Sequence, residues 1–230
     1  MTRPAMHFDQ PPHIPETATR QLADWVQVDA EVHYDPMKYL RPERMASIGY
    51  QFRLMHEYFP KSRVLEVGAG AGLTTVILRQ LGHEVQTLDV DEKLSPSILG
   101  SVTSIPCKDD SLDAFLCSQV LEHLPWNEAQ VSIRELARVA KRGGVISVPT
   151  MRPCFGILMH AWRRHGARRF SLPSFGKPRI RCPDQHYWEL GAGVTLDQFN
   201  SALKDAGFNI AYNEQPVLHL YHHFFVVTKT

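Results

Sequence analysis

The hydrophobic positions of the chain form two kinds of pattern, which alternate from about Arg63 onward. Short, nearly continuous apolar runs predict buried strands at Val64–Val67, Val85–Leu88, Leu112–Cys117 and Val145–Val148. Between these runs, apolar residues recur every three or four positions, which is typical of amphipathic helices. Strands that alternate with helices in this way predict right-handed βαβ units and a parallel sheet.

Two helices are predicted on either side of the first strand. One runs from about Pro42 to Phe59, and Pro60 ends it because proline cannot continue a helix. The other follows the strand and ends at Gly82. Its spacing predicts a buried face made of Leu73, Val76, Ile77 and Leu81.

Two further helices begin with candidate capping boxes, in which a glutamine follows the capping residue by three positions. One begins at Asn127 and is broken by Gly143–Gly144, and the other runs from Thr195 to Ala206. The buried stripe predicted for the first is Ile133, Leu136, Ala137 and Ala140. Two strands, Phe208–Tyr212 and Leu218–Thr228, then follow without a helix between them, so an antiparallel hairpin is expected to complete an α/β sheet.

Length and composition narrow the class of protein. A chain of 230 residues with 43% hydrophobic residues is long enough for one domain with a full core. No apolar run approaches the roughly 18 residues of a membrane span, and Met1–Ala30 lacks the apolar core of a secretory signal. The four cysteines are too few and too scattered for a disulfide framework. We therefore expect a single-domain cytoplasmic protein.

The net charge of +1 conceals an asymmetry. Between Met151 and Pro183 there are eight basic residues and no acidic ones, while the rest of the chain holds 17 basic and 24 acidic residues. This basic segment is interpreted either as a solvent-exposed helix face or as a lid that binds an anion. Its basic residues are Arg152, Arg163, Arg164, Arg168, Arg169, Lys177, Arg179 and Arg181.

A glycine-rich turn follows the first predicted strand. Residues Glu66–Gly72 read Glu-Val-Gly-Ala-Gly-Ala-Gly, and Asp89 closes the second strand 21 residues after Gly68. Glycines allow a tight turn and let a ligand approach the backbone, and a carboxylate beside them can accept hydrogen bonds from a ribose. A dinucleotide-binding fingerprint counted from Gly68 needs its third glycine at position 73, which is Leu73.

This combination resembles class I S-adenosylmethionine-dependent methyltransferases, in particular their small-molecule, methyltransferase type 11-like branch. Further matching segments are Gly100–Pro106, Cys107–Ala114, Ser118–Leu124 and Gly143–Gly144. The resemblance implies a Rossmann-like, doubly wound, mostly parallel seven-stranded sheet with a C-terminal antiparallel hairpin. It also implies S-adenosyl-L-methionine as cofactor and S-adenosyl-L-homocysteine as its product.

The same resemblance assigns residues to the cofactor. The glycine turn cradles the methionine part, Asp89 holds the ribose, Val90 packs on the adenine and Gln119 borders the methionine end. Many relatives have Asp after the glycine of the adenine loop, where this chain has Ser101, so Ser104 and the backbone around Ile105 are expected to serve instead. The full cofactor set is Glu66, Gly68, Ala69, Gly70, Gly72, Asp89, Val90, Ser104, Ile105 and Gln119.

Two histidines are candidates for catalysis. His123, next to Glu122, is either a general base or part of a helix start typical of the family. His186 lies in the segment Asp184–Glu189, which suits a pocket wall and an aromatic anchor equally well.

No metal site is expected from the sequence. In a strand, His219 and His223 share one face while His222 points to the other, so the three cannot converge without a bend. Cys154 and Cys182 lack the paired short spacing of a zinc site.

The sequence is therefore interpreted as that of a methyltransferase for a small-molecule acceptor. Its expected parts are an N-terminal helical cover (1–60), a cofactor-binding core (61–150), a basic insertion or lid (151–190), and a helix and hairpin that complete the domain (191–230). An anionic acceptor is favoured over nucleic acid because the basic segment has few aromatic residues spaced for base stacking. Two alternatives stay open: a non-catalytic cofactor-binding partner protein of the same fold, and an NAD(P)-dependent oxidoreductase.

Overall fold

The structure is a computed structural model that describes residues 40–151, 178–216 and 218–229, together with strand backbone at 154–161 and 166–173. The strands in chain order are β1 (Arg63–Val67), β2 (Glu84–Asp89), β3 (Ile98–Leu99), β4 (Leu112–Ser118), β5 (Ala140–Pro149), β6 (Cys154–Ala161), β7 (Gly166–Pro173), β8 (Glu189–Leu190), β9 (Gly193–Val194), β10 (Phe208–Glu214) and β11 (His222–Lys229). The α-helices are α1 (Pro42–Tyr58), α2 (Leu73–Gln80), α3 (Trp126–Val139) and α4 (Leu196–Asp205). Single 3₁₀ turns cover Glu92–Leu94 and Leu121–His123.

Seven strands form one sheet in the order β10-β11-β5-β4-β1-β2-β3. Strands β1 to β5 are parallel, and β11 pairs antiparallel with both β5 and β10, so the predicted mostly parallel sheet with a C-terminal hairpin is confirmed. Val67 of β1 pairs with Leu88 of β2 on one side and with Cys117 of β4 on the other. The carboxyl ends of these three strands therefore meet at one edge of the sheet.

Helices cover both faces of the sheet. On one face, Met55 of α1 and Leu78 of α2 are buried in a cluster with alternate residues of the central strands. On the other face, Ile133 of α3 and Phe199 of α4 belong to a second, larger cluster. Each fully buried side chain of this size stabilises the fold by about 1.5–3 kcal/mol, which is why the sheet strands are apolar on both faces.

The buried face predicted for α2 is wrong. Val76 and Leu81 are 56% and 37% exposed, and the buried residues of the helix are Thr74, Thr75 and Leu78. The helix turns its threonines inward because Glu66, buried under it, accepts a hydrogen bond from the Thr75 hydroxyl. The hydrogen bond that buried Glu66 requires therefore decides which face of α2 is buried, and the spacing of its apolar residues does not.

The start and end of α3 also differ from the prediction. The helix begins at Trp126 after an N-cap at Pro125 without a side-chain cap, so the capping box expected at Asn127 is wrong. It ends at Val139, and Gly143–Gly144 lie inside β5. A Cβ on Gly144 would stand 2.6 Å from the Phe115 ring, so close packing between strands requires this glycine.

The capping box predicted for the last helix is confirmed. Thr195 Oγ1 accepts a hydrogen bond from the Gln198 N–H at 3.1 Å, and Gln198 Oε1 accepts one from the Thr195 N–H at 2.8 Å. After α4, Gly207 has a φ of +89°, as a residue that terminates a helix commonly does.

The described backbone of the basic segment contains two strands and not a helix: β6 and β7 form a two-stranded antiparallel sheet. The interpretation as a solvent-exposed helix face is therefore wrong. Arg179 and Arg181 lie among the residues whose side chains are described, and the other six basic residues lie outside them. Within the described part of the chain, no helix combines the length and hydropathy that crossing a membrane requires.

Candidate active site

The glycine turn after β1 has the backbone geometry that glycine provides. Gly68, Gly70 and Gly72 have φ values of +69°, +55° and +74°, in the region that side chains disfavour. A Cβ on Gly68 would lie 2.5 Å from Val120 Cγ2. Gly72 is also the N-cap of α2 and offers no side-chain cap, so the first N–H groups of the helix remain available to a ligand at the turn.

Glu66 precedes the turn and is only 4% exposed. Its carboxylate accepts a hydrogen bond from Thr75 Oγ1, and Thr74 in turn donates to Gln51 of α1 at 3.2 Å. Burial raises the pKa of Glu66 to about 7, against the lowering influence of Thr75 and of the Arg79 guanidinium. A buried carboxylate at this position is suited to a cationic group of a ligand, because a positive charge beside it would offset the lost solvation.

Asp89 lies beside the same turn, at the end of β2. The two strand ends are joined by a hydrogen bond from the Gly68 N–H to the Leu88 carbonyl at 2.9 Å. Burial raises the pKa of Asp89, while hydrogen bonds from the N–H groups of Asp91 and Val90 lower it. Because the Gly68–Leu88 hydrogen bond joins the two strand ends, the Asp89 carboxylate and the glycine turn share one edge of the sheet.

The residues predicted to lie beside an adenine follow on the β2 side of the turn. Val90 is half-buried, Ser104 is exposed and Ile105 is buried. The Ile105 N–H donates to Glu135 at 2.9 Å, and its carbonyl accepts from Arg138 at 2.8 Å. The backbone of Ile105 is therefore already engaged, whereas the Ser104 side chain is exposed to solvent.

A cavity of about 1090 Å³ opens at the carboxyl ends of β1 and β4, and its lining residues do not include Asp89. Gln119 reaches this cavity through a φ of +57°, an uncommon conformation that its N–H stabilises by donating to the Ser147 carbonyl at 2.9 Å. Of the residues predicted for the site, the wall contains Glu66, Gly68, Ala69, Gly70, Gln119, His123 and His186.

The two candidate catalytic histidines are neighbours, although 63 positions separate them in the sequence. The rings of His123 and His186 meet edge to face with centroids 4.9 Å apart. The segment that carries His186 docks on the turn after β4 through two hydrogen bonds, from the Tyr187 N–H to the Glu122 carbonyl at 2.9 Å and from Trp188 Nε1 to the Leu124 carbonyl at 3.0 Å. The segment is therefore both a pocket wall and an aromatic anchor.

Glu189 and Tyr221 support this wall from behind. Glu189 Oε1 accepts hydrogen bonds from Tyr221 Oη at 2.7 Å and from the Arg181 N–H at 3.0 Å, and it contacts His186 Nδ1 at 2.9 Å. These partners lower the pKa of Glu189 although its burial raises it, and the pKa of Tyr221 is raised by burial and by Glu189. The result is a buried carboxylate that holds the His186 ring in place.

Comparison with known proteins gives three findings. Residues 65–148 match a family described as a methyltransferase domain. A demethylmenaquinone methyltransferase from Renibacterium salmoninarum is 33% identical over 164 residues, which cover 65% of this chain and 68% of that protein. A ubiquinone biosynthesis O-methyltransferase from Xanthomonas campestris is 29% identical over 54% of this chain and 55% of its own length.

The chain belongs to the S-adenosylmethionine-dependent methyltransferase family. It spans about half the length of the first of the curated relatives it matches. Among solved structures, a Burkholderia thailandensis 1,6-didemethyltoxoflavin-N1-methyltransferase, with its substrate and S-adenosylhomocysteine bound, aligns with a TM-score of 0.59 at 18% identity. The alignment covers 96% of this chain and 94% of that one, so the methyltransferase fold extends well beyond the matched residues.

The part of the chain that matches the methyltransferase domain holds the glycine turn, Asp89, Gln119 and His123, whereas His186 lies outside it. The sequence predicted a cover made of the N-terminal helix and the 151–190 segment, but it did not identify most of the individual residues that line the cavity from these elements, nor the contribution of the turn before β11. These lining residues come from α1, from the segment before β8 and from the turn before β11, and they include Arg41, Arg44, Ser47, Cys182 and Tyr221.

The histidines near the C-terminus are arranged differently from the prediction. His219 precedes β11 and lies outside any strand, and its ring stacks 3.9 Å from that of His222, between ring centroids. Both line the cavity. The premise that the three histidines lie on one strand is therefore wrong, and His219 and His222 share a wall of the methyltransferase cavity.

Proposed function

We propose that this chain transfers the methyl group of S-adenosylmethionine to a small-molecule acceptor. The observation that carries the proposal is the continuity between the glycine turn and the cavity, whose wall runs from Gly68 and Gly70 to His123 and His186. The cavity volume of about 1090 Å³ lies at the upper end of the range of about 300–1,000 Å³ that is usual for small-molecule sites. The methionine part of the cofactor alone does not fill a cavity of this size. A second molecule therefore has room beside the cofactor.

In this proposal the cofactor lies across the carboxyl end of β1. Its ribose hydroxyls bind Asp89, its adenine packs on Val90 near Ser104 and Ile105, and its methionine part enters the cavity over Gly68, Ala69, Gly70 and Gly72. Glu66, directly under the turn, supplies the negative charge for the ammonium group. Gln119 borders the methionine end from β4.

For this reaction the protein mainly has to position the acceptor and exclude water. The sulfonium carbon is already activated and its leaving group is a neutral thioether, so the acceptor must be held in line at about 3 Å with water excluded. His123 and His186 lie on the acceptor side of the cavity, where one of them would take a proton from an acceptor hydroxyl.

The charges of the wall support an anionic acceptor. Arg41, Arg44 and Arg181 line the cavity, and Glu43, Glu66 and Glu122 line it as well. Burial raises the pKa values of Glu66 and Glu122, which lessens the negative charge that these two residues contribute. Three guanidinium groups raise the local concentration of a carboxylate- or phosphate-bearing molecule.

The test is methyl transfer from labelled S-adenosylmethionine to metabolites of the source cell, fractionated by anion exchange. We expect an enzyme-dependent labelled product among the retained, anionic fractions. A labelled product found only among the unretained fractions would contradict an anionic acceptor. Binding of S-adenosylhomocysteine without any labelled product would favour the alternative of a non-catalytic cofactor-binding protein.

A further inference from the structure

The mouth of the cavity carries apolar as well as charged side chains. Among the described residues that line the cavity, five have exposed side chains: Arg41, Glu43, Arg181, Leu218 and Leu220. We call these five residues the mouth surface. Exposed apolar side chains that are gathered beside charged ones mark surfaces that bind a protein or a membrane.

The leucines of the mouth surface belong to a concentration of exposed apolar side chains. Among the described residues, six large hydrophobic side chains are exposed. Three of these six are Leu218, Leu220 and Leu40, at 56%, 39% and 55% exposure, and Leu40 directly precedes Arg41 of the mouth surface. Half of the exposed apolar side chains therefore lie at the cavity mouth or next to it in the sequence.

Hydrogen bonds hold the turn that presents the two leucines. The His219 N–H donates to the Pro216 carbonyl at 3.2 Å, and the Thr150 N–H donates to the Tyr221 carbonyl at 2.7 Å. Between the leucines, His219 packs its ring against that of the buried His222. The leucines are thus exposed on a turn whose backbone and central side chain are attached to the fold.

Positive charge surrounds the same turn. Burial lowers the pKa of His219, and the charges of Arg44 and Arg181 lower it as well, against the raising effect of Glu43. The Arg181 guanidinium lies over the Tyr221 ring, 4.9 Å from its centroid, so this cation is held beside the turn. Together with Arg41, three arginines lie at the mouth, where Glu43 is the exposed carboxylate of the described wall.

We propose that the mouth surface docks on a membrane that contains anionic lipids. Leu218 and Leu220 would enter the boundary between headgroups and acyl chains. The arginines would stay at the level of the lipid phosphates, because long basic side chains keep their charged ends in the polar layer. A bilayer of this composition offers an apolar layer and a layer of negative charge side by side, which is what leucines flanked by arginines require.

A second copy of the chain fits the mouth surface less well. In a symmetric dimer the same surface lies on both sides of the interface, so the arginines of one copy would approach those of the other. Like charges that face each other across an interface disfavour association. An anionic membrane presents the opposite charge.

The test is sedimentation of the untagged full chain with vesicles of an equimolar mixture of phosphatidylcholine and phosphatidylglycerol, and with vesicles of phosphatidylcholine alone. We expect binding to the mixed vesicles that weakens as salt is added, because salt screens the attraction between arginines and lipid phosphates. Leu218→Ser combined with Leu220→Ser should lower the partition coefficient at least about tenfold, because two apolar side chains no longer leave water. Arg41→Gln should lower it about fivefold.

The chain offers matched controls for both changes. Val76 and Leu81 of α2 are 56% and 37% exposed, almost as Leu218 and Leu220 are, and they do not line the cavity. Val76→Ser combined with Leu81→Ser should therefore bind as the unaltered chain does. Lys204→Gln, at an exposed cation of α4 that does not line the cavity, is the control for charge.

Four results would overturn the proposal: no binding to the mixed vesicles, equal binding to both kinds of vesicle, equal losses in the leucine variant and its control, or a dimer in gel filtration that the leucine variant abolishes. Circular dichroism and a thermal melt show whether each variant is folded, and Arg41→Gln decides the matter if the leucine variant does not fold. The docking surface does not rest on methyl transfer. A chain that binds S-adenosylhomocysteine but no vesicles contradicts the docking surface only.

Discussion

Two buried carboxylates define the site at the scale of single residues. Glu66 and Glu122 are 4% and 0% exposed, and both point to the same cavity wall. Burial raises their pKa values to about 7 and about 8, because the charged form of each carboxyl group loses solvation. A cationic ligand beside either one would relieve this penalty.

The raised pKa of Glu66 predicts how stability depends on pH. Its folded pKa lies above its unfolded value of 4.5, so the folded state holds the proton longer and stability from this group falls as pH rises from 4.5 through about 7. The shift corresponds to roughly 3 kcal/mol. The free energy of unfolding can be measured with urea for the unaltered chain and for Glu66→Gln at pH 5 and pH 8. Between pH 5 and pH 8, the free energy of unfolding of Glu66→Gln should rise by about this amount relative to that of the unaltered chain. An advantage for the variant that is the same at both pH values would contradict the assignment.

Asp89 gives a prediction about the cofactor. Asp89→Ala should lower the affinity for S-adenosylhomocysteine at least about tenfold, because it removes charge-assisted hydrogen bonds to the ribose of about 1.5–3 kcal/mol each. Glu92→Gln, at an exposed carboxylate three positions away, is the control and should leave affinity unchanged. Calorimetry on both variants measures the difference, and equal affinities would remove Asp89 from the site.

Some residues of the site were predictable and others were not, for a physical reason. Glu66 and Asp89 lie at the carboxyl ends of β1 and β2, and the glycines follow β1 directly. Because these strand ends meet at one edge of the sheet, the spacing along the chain reveals the residues. Tyr221 and Glu189 meet through a hydrogen bond across 32 positions and lie in segments without a periodic pattern. Only the fold brings them together.

At the scale of elements, the spacing of apolar residues predicted helices and strands correctly where packing alone decides which face is buried. It predicted six of the seven strands of the sheet but not the two-residue strand β3, and it predicted that Ile133, Leu136 and Ala137 of α3 are buried. It failed at α2, where Thr74 and Thr75 turn inward to hydrogen-bond Gln51 and Glu66. The interpretation of Gly143–Gly144 as a helix break, which came from the glycines themselves, is also wrong, because both lie in β5 in close contact with β4 and β11.

The glycine turn offers a matched pair of variants. Gly68 and Gly82 both have a strongly positive φ, at +69° and +88°, but a Cβ on Gly68 meets Val120 whereas a Cβ on Gly82 has nothing within 4 Å. Gly82→Ala should therefore lower the free energy of unfolding by only about 1–2 kcal/mol, which is the cost of holding an alanine at a positive φ. Gly68→Ala should lose more, and S-adenosylhomocysteine binding should fall more than about tenfold because the turn must move.

Thermal melts and calorimetry on the two variants check this prediction. Gly82→Ala controls for backbone strain, since it lies after α2 and away from the cavity. If both alanine variants bind S-adenosylhomocysteine as tightly as the unaltered chain, the glycine turn is only a tight connection between β1 and α2.

At the scale of the whole molecule, fold and family were readable from the sequence while the acceptor was not. Alternating strands and helices, a glycine turn and a final hairpin each leave a local pattern, and together they specify the sheet. Part of the cavity wall is assembled from α1, the segment before β8 and the turn before β11. Those pieces are distant in sequence and obey no common spacing, so their chemistry appears only once the chain is folded.

The most direct test of the central claim is a calorimetric titration of the full chain with S-adenosylhomocysteine, and in parallel with NAD. We predict saturable binding of one S-adenosylhomocysteine per chain and a thermal stabilisation of about 2.7 kcal/mol at 100 times its Kd, with no such response to NAD. Absence of S-adenosylhomocysteine binding to the folded chain, or tight binding of NAD in its place, would contradict the account.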